Sequence, residues 1–216
     1  MWLIDTNPIE RVHWETRRMK IPRIITPDQF QKLLDELKEP YRTMVLIAGC
    51  LGLRASEVMG LQWQDIDWDK LEIMLERGSV HARLNALKTE SPMKSVPMEA
   101  EVATALLNHR ERLVSVEPTD FILPSPVNEG KPRWQETILE DYIKPAAYRA
   151  GIGKVGWHTF RHSYETLLNS HGTDLKVQQE LMRHANIQTT LNVYAQAVSE
   201  KKREAAKNIA KSLLKG

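Results

Sequence analysis

Four short segments of this chain hold side-chain combinations able to do chemistry. Gly52-Leu53-Arg54-Ala55-Ser56-Glu57-Val58 places Arg54 where a helix begins behind a glycine, with Glu57 one turn on and within pairing reach. Lys88 stands in Leu87-Lys88-Thr89-Glu90-Ser91-Pro92, at a turn between two predicted strands. In Trp157-His158-Thr159-Phe160-Arg161-His162-Ser163, helical geometry would set His158 and Arg161 at i, i+3 on one face, with His162 beside them. The fourth segment runs from Leu181 to Tyr194. There His184 falls in a loop between helices, and Thr189 or Thr190 caps the helix that carries Tyr194.

Each segment alone has an ordinary explanation. An exposed Arg–Glu pair contributes little, a lysine at a hairpin end is usually solvated, and a tyrosine near a helix start commonly lies at the core edge. His158 and His162, at i, i+4, raise the question of a metal. The metalloprotease pattern needs Glu directly after the first His, however, where Thr159 stands, and the spacing offers no third ligand. We therefore expect no metal and no cofactor. Taken together, two arginines, a lysine, two histidines and a tyrosine in this order are not accounted for by the ordinary explanations.

The elements that must position these groups are legible in part. Thr26-Pro27-Asp28-Gln29 reads as a capping box with proline at the first helical position. Phe30, Leu33, Leu34 and Leu37 then follow at i, i+3, i+4, i+7 and predict an amphipathic helix that Pro40 ends. Further helices are expected over 41–50, 55–61, 99–113, 134–150 (broken at Pro145), 158–170, 175–182, 190–197 and 199–214. Alternation at Ile66, Trp68, Leu71, Ile73 and Leu75 predicts one strand, and 82–88 and 94–98 predict two more. The expected fold is mainly α with a small three-stranded antiparallel β-sheet, an α+β arrangement.

The bulk composition is that of a globular chain. Of 216 residues 42% are hydrophobic and 27% charged, and the net charge of +2 says little about partners. Basic residues gather at 11–23 and 201–215, as in solvated arms or phosphate contacts. The sequence has no apolar run of the ~20 residues needed to span a bilayer and no signal-peptide pattern. Cys50 is the single cysteine. A cytoplasmic protein is expected.

The four segments, together with Val96-Pro97, are similar to the motifs of the tyrosine recombinases, the phage integrase family. The chain resembles their catalytic domain from about residue 24 to 198. That resemblance implies a tyrosine recombinase catalytic-domain fold and a site-specific recombinase or integrase that cleaves and rejoins DNA strands through a 3′-phosphotyrosine intermediate. Arg54 and Arg161 would grip the non-bridging oxygens of the scissile phosphate, and His158 and His184 would support them and manage protons. Lys88 would protonate the leaving 5′-oxygen, and Tyr194 would be the nucleophile. The implied partner is double-stranded DNA, bound as a homotetramer that associates weakly or is monomeric without it. Alternatives are a truncated, non-recombining DNA-binding module of the same fold, or a type IB topoisomerase-like relaxation activity.

The implied chemistry is physically coherent. Planar, permanently charged guanidiniums suit bidentate phosphate contact and transition-state charge. A tyrosine of pKa ~10 is about 3 units, or ~4 kcal/mol, too weakly acidic at neutral pH. A neighbouring base such as His158 can supply part of that. The chain also departs from the family pattern. Arg183 stands where members often carry Gly, Gln196 stands where many carry His, and Lys94 competes with Lys88 for the lysine role. Full-length integrases carry a helical DNA-clamping domain before the catalytic one, and Asn7-Pro8-Ile9-Glu10-Arg11-Val12 resembles the linker that follows it. The expected division is thus 1–24 as linker or arm, 25–198 as catalytic domain, and 199–216 as a C-terminal helix, either packed on its own domain or exchanged between subunits.

Overall fold

The computed structural model describes residues 22–81, 83–86, 95–128, 130–184, 188, 190 and 191. The linker resemblance at 7–12, Lys88, Lys94, Tyr194, Gln196 and the expected helix at 199–214 lie outside these residues.

Helix α1 (Pro27–Glu36) begins as the capping pattern predicts. Thr26 Oγ1 accepts from the Gln29 amide at 3.2 Å, and Gln29 Oε1 accepts from the Thr26 amide at 3.1 Å. Its stripe of Leu33 and Leu34, continued by Leu37, is buried. Helix α2 (Tyr41–Cys50) buries Thr43, Met44, Val45, Ile47 and Ala48. A helix apolar nearly all round must be covered on several sides, and α2 packs against α1, the short α3 (Ala55–Gly60), α4 (Ala100–Arg110) and α7 (Trp157–Ser170). It is the hub of the core. Helix α8 (Leu175–Met182), capped by the Asp174 carboxylate, packs on α7.

The β-structure is divided differently from expectation. The segment read as one strand is two, β1 (Ile66–Asp67) and β2 (Glu72–Met74), paired antiparallel. A turn between them places Leu71 at φ 53°, and Asp67 Oδ1 accepts from the Asp69 and Lys70 amides. The three-stranded sheet is completed by β5 (Ser95–Pro97) in the order β1–β2–β5. A separate hairpin joins β3 (Arg77–Val80) to β4 (Arg83–Ala86). The chain therefore leaves one sheet at Ala86 and enters the other at Ser95, with Lys88 in the span between. Gly60 lets β3 lie against α3, because a Cβ there would stand 2.9 Å from the Arg77 carbonyl oxygen.

Pro145 does not break its helix. Helix α5 (Gln135–Ile138) continues through a π-helical stretch (Leu139–Ile143) into α6 (Lys144–Arg149). Proline offers no N–H and would crowd the carbonyl four residues back, and the wider i→i+5 turn accommodates it. Among the described residues no helix is long and apolar enough to cross a membrane.

Helix α7 turns two faces to different tasks. Phe160, 1% exposed, meets Trp157 and the Phe30 ring of α1 edge-on at 6.1 and 6.4 Å, while Arg161 projects towards α3 and α8. Phe160→Ala should lower unfolding free energy by roughly 3–5 kcal/mol, measured as a reduced urea midpoint at unchanged slope. A loss below about 1 kcal/mol would mean that α7 is not held by this contact.

Candidate active site

Three segments converge at the ends of α3, α7 and α8. Arg54 is the N-cap of α3 and Glu57 its third helical residue. Glu57 accepts from the Arg54 amide at 2.8 Å through Oε2, and from Arg54 Nη1 at 2.8 Å through Oε1. The carboxylate is 2% exposed, whereas 40% of the Arg54 side chain stays open to solvent. Burial pushes the Glu57 carboxyl up, but the Arg183 charge, the Arg54 amide and the Arg54 charge outweigh it and hold the net value below the usual carboxylate range.

Arg161 enters the same space from α7. Its Nη1 donates to the Gly52 carbonyl at 2.6 Å and its Nη2 to the Met182 carbonyl. Only two of the five N–H donors of a guanidinium are used by these bonds. Burial, followed by the like charges of Arg54 and Arg183, lowers its pKa to about 9, so it remains charged at neutral pH. Gly52 makes the arrangement possible: its φ is +59°, and a Cβ would sit 2.5 Å from the Tyr164 ring.

Two imidazoles flank the arginines. His158, exposed at the start of α7, has its pKa lowered by partial burial and then by His162, Arg161 and Arg54. His184 follows α8, and its Nδ1 lies 2.9 Å from the buried Thr190 hydroxyl. Burial first, then chiefly the Arg161 charge, takes it down to about 4, so the ring is neutral at pH 7. Arg54, His158, Arg161 and His184 thus form one electrostatically coupled group. The expectations for Lys88 and Tyr194 concern residues outside those described. Thr190 turns its hydroxyl to His184. His158 and His162 stand 6.0 Å apart, and no group of three or more His, Cys, Asp or Glu among the described residues could hold a metal ion.

Two participants were not visible from spacing. Arg183 caps α8 in the left-handed region at φ 51°, ψ 46°, a backbone conformation that favours glycine. Its guanidinium donates to Glu57 Oε2 at 2.9 Å, Leu181 O at 2.7 Å and Gly52 O at 3.3 Å. The side chain is 7% exposed, so it serves the interior rather than a ligand. The other is Glu165 of α7, 1% exposed, lying between His162 and His184. A polar stripe at i, i+3, i+4, i+7 (His158, Arg161, His162, Glu165) was the signal that could have found it.

Removing one partner of a buried ion pair is costly, while a left-handed backbone favours glycine. Arg183→Gly should therefore lose roughly 1–3 kcal/mol, with Glu57 still paired to Arg54. Arg183→Ala should fall about 1 kcal/mol lower, having the same loss without the backbone relief. Chemical denaturation of both variants checks the order. An alanine variant as stable as the parent would show that the Glu57 pair contributes nothing.

The sequence profile of the phage integrase family matches residues 23–201. The tyrosine recombinase XerC-like protein of Caldanaerobacter subterraneus subsp. tengcongensis is 26% identical over 230 residues, covering 96% of this chain and 57% of that protein. A tyrosine recombinase of Thermosipho africanus is 30% identical over 213 residues, covering 96% and 69%. Among solved structures, the Tn1549 transposon integrase in complex with circular intermediate DNA superposes with a TM-score of 0.73 at 22% identity, covering 89% of this chain and 68% of that one. The crystal structure of XerA recombinase gives 0.64 at 22% identity, covering 91% and 66%. These structures share the α+β fold. The chain thus spans between about half and two thirds of the length of such proteins, and it belongs to the phage integrase family of tyrosine recombinases.

Proposed function

We propose that this chain is the catalytic portion of a site-specific DNA recombinase that breaks and rejoins strands through a 3′-phosphotyrosine. The observation that carries this reading is the coupled group of Arg54, Arg161, His158 and His184, assembled from three separate segments around one buried carboxylate. Two cations and two imidazoles suit a phosphodiester whose transition state gathers charge on equatorial oxygens. DNA is the partner implied by relatives seen with it: the Tn1549 integrase with circular intermediate DNA, and XerH with difH substrate. On DNA the assembly would be a homotetramer.

In the proposed step the Tyr194 hydroxyl oxygen attacks phosphorus and the 5′-oxygen leaves. Arg54 and Arg161 bind the non-bridging oxygens. His158, whose pKa burial and then its charged neighbours push below the usual imidazole range, takes the tyrosine proton directly or through water. Lys88 gives a proton to the departing 5′-oxygen. The phosphotyrosine ester conserves the energy of the broken bond, so a free 5′-hydroxyl can reverse the step on the same or another strand.

A nicked suicide duplex, from which the fragment behind the 5′-hydroxyl diffuses away, tests the nucleophile. The parent chain should become covalently linked to DNA, and Tyr194→Phe should abolish the adduct while retaining fold and weak binding. An adduct with the phenylalanine variant would remove Tyr194 from its role. Lys88→Ala should slow cleavage by roughly 100-fold or more, and a 5′-phosphorothiolate should restore the rate, because sulfur leaves without a proton. Restoration of Lys94→Ala instead would move the general acid to Lys94.

A further inference from the structure

Glu165 is a buried acid with no part in the chemistry above. It projects from α7 one turn beyond Arg161, is 1% exposed, and its Oε1 has no hydrogen-bond partner. Oε1 lies 4.0 Å from Nδ1 of His184, and Oε2 lies 3.9 Å from Nδ1 of His162. The helical period places it there, since position 165 is i+4 from Arg161 and i+3 from His162. A carboxylate hidden from water is costly unless positive charge meets it, and here it faces Arg161 and two imidazoles.

Building on the phosphodiester site proposed above, we propose that Glu165 is a positioning residue that draws a proton from solvent onto His184 when an anionic phosphodiester occupies the arginine pair.

The charges around His184 support the idea. Arg161 and Glu165 face it from α7, Arg54 from the start of α3, and Arg183 from the adjoining turn. In the empty site burial and the three cations disfavour a proton on the ring, and Glu165 alone favours it. A phosphodiester brings negative charge to the arginines and offsets their field. The influence of Glu165 then remains with less opposition. One proton enters from solvent at Nδ1, next to Thr190 Oγ1 and Glu165, while an Nε2–H stays available as a donor. Cleavage would begin with a charged imidazole donor at the phosphate, whereas the empty site avoids an additional positive charge.

The test is an NMR pH titration of the His184 ring in the full chain, with and without dimethyl phosphate, a phosphodiester that does not itself titrate in this range. On saturation the apparent pKa of His184 should rise by about three units in the parent, enough to charge much of the ring near pH 7. In Glu165→Gln it should start lower and rise to a lower value, by roughly one unit. Glu165→Asp, which withdraws the carboxylate by one methylene, should fall between, and it replaces the Gln variant if that fails to fold. Equal His184 values in parent and variants with dimethyl phosphate bound would overturn the proposal. A dimethyl phosphate titration that leaves the Arg54 and Arg161 Nε signals unmoved would instead contradict the phosphodiester site. The free-protein comparison would then still decide whether Glu165 acts on His184: a lower value in Glu165→Gln retains the coupling, and an identical one rejects it.

Discussion

Three guanidiniums, those of Arg54, Arg161 and Arg183, share a small and largely buried space with two imidazoles. Unit charges 4–8 Å apart repel by roughly 2–4 kcal/mol at an effective dielectric of about 20, and burial adds the cost of lost hydration. Left alone, such a group would not hold together. The Glu57 carboxylate answers this: it binds Arg54 through one oxygen and Arg183 through the other, and its second oxygen also takes the Arg54 amide. One negative charge thereby fixes the start of α3, orients Arg54, and ties down the turn after α8 from which His184 extends. Backbone carbonyls of Gly52 and Met182 do the same for Arg161 without adding charge.

The rest of the architecture follows from that requirement. Gly52 must be glycine because its carbonyl serves Arg161 and Arg183 while its α-carbon lies against the Tyr164 ring. Residue 183 must turn left-handed to end α8, and arginine occupies that strained backbone because its side chain is bonded to Glu57. Helix α2 lies behind, apolar on several sides, and locks α3 and α7 into one body. The inner side of the site is buried, whereas Arg54 and His158 remain open to solvent.

Much of this was legible in the sequence, for identifiable reasons. The capping pattern at Thr26 and the apolar stripe of α1 are local signals, and the structure shows both. Arg54, His158, Arg161 and His184 were recognisable by order and context, and they do meet. The strand boundary at Asp67–Glu72 was not legible, because the apolar alternation runs straight through a turn whose left-handed residue is Leu71 rather than glycine. The continuous helix across Pro145 was missed because nothing in sequence announces a π-turn. Glu165 did not stand out in the sequence, and Arg183 stood out only as a departure from the family pattern. Only tertiary packing, which buries the first between histidines and pairs the second with a residue 126 positions away, reveals them.

The central claim is that this charged pocket transfers a DNA 3′-phosphate to a tyrosine. Mass spectrometry of the trypsin- and nuclease-digested adduct formed on nicked DNA addresses it most directly. Trypsin cleaves after Arg183 and Lys201, so the account predicts a peptide of residues 184–201 carrying a nucleotide 3′-phosphate on Tyr194. A nucleotide on any other residue, or cleaved DNA with no peptide attached, would contradict it.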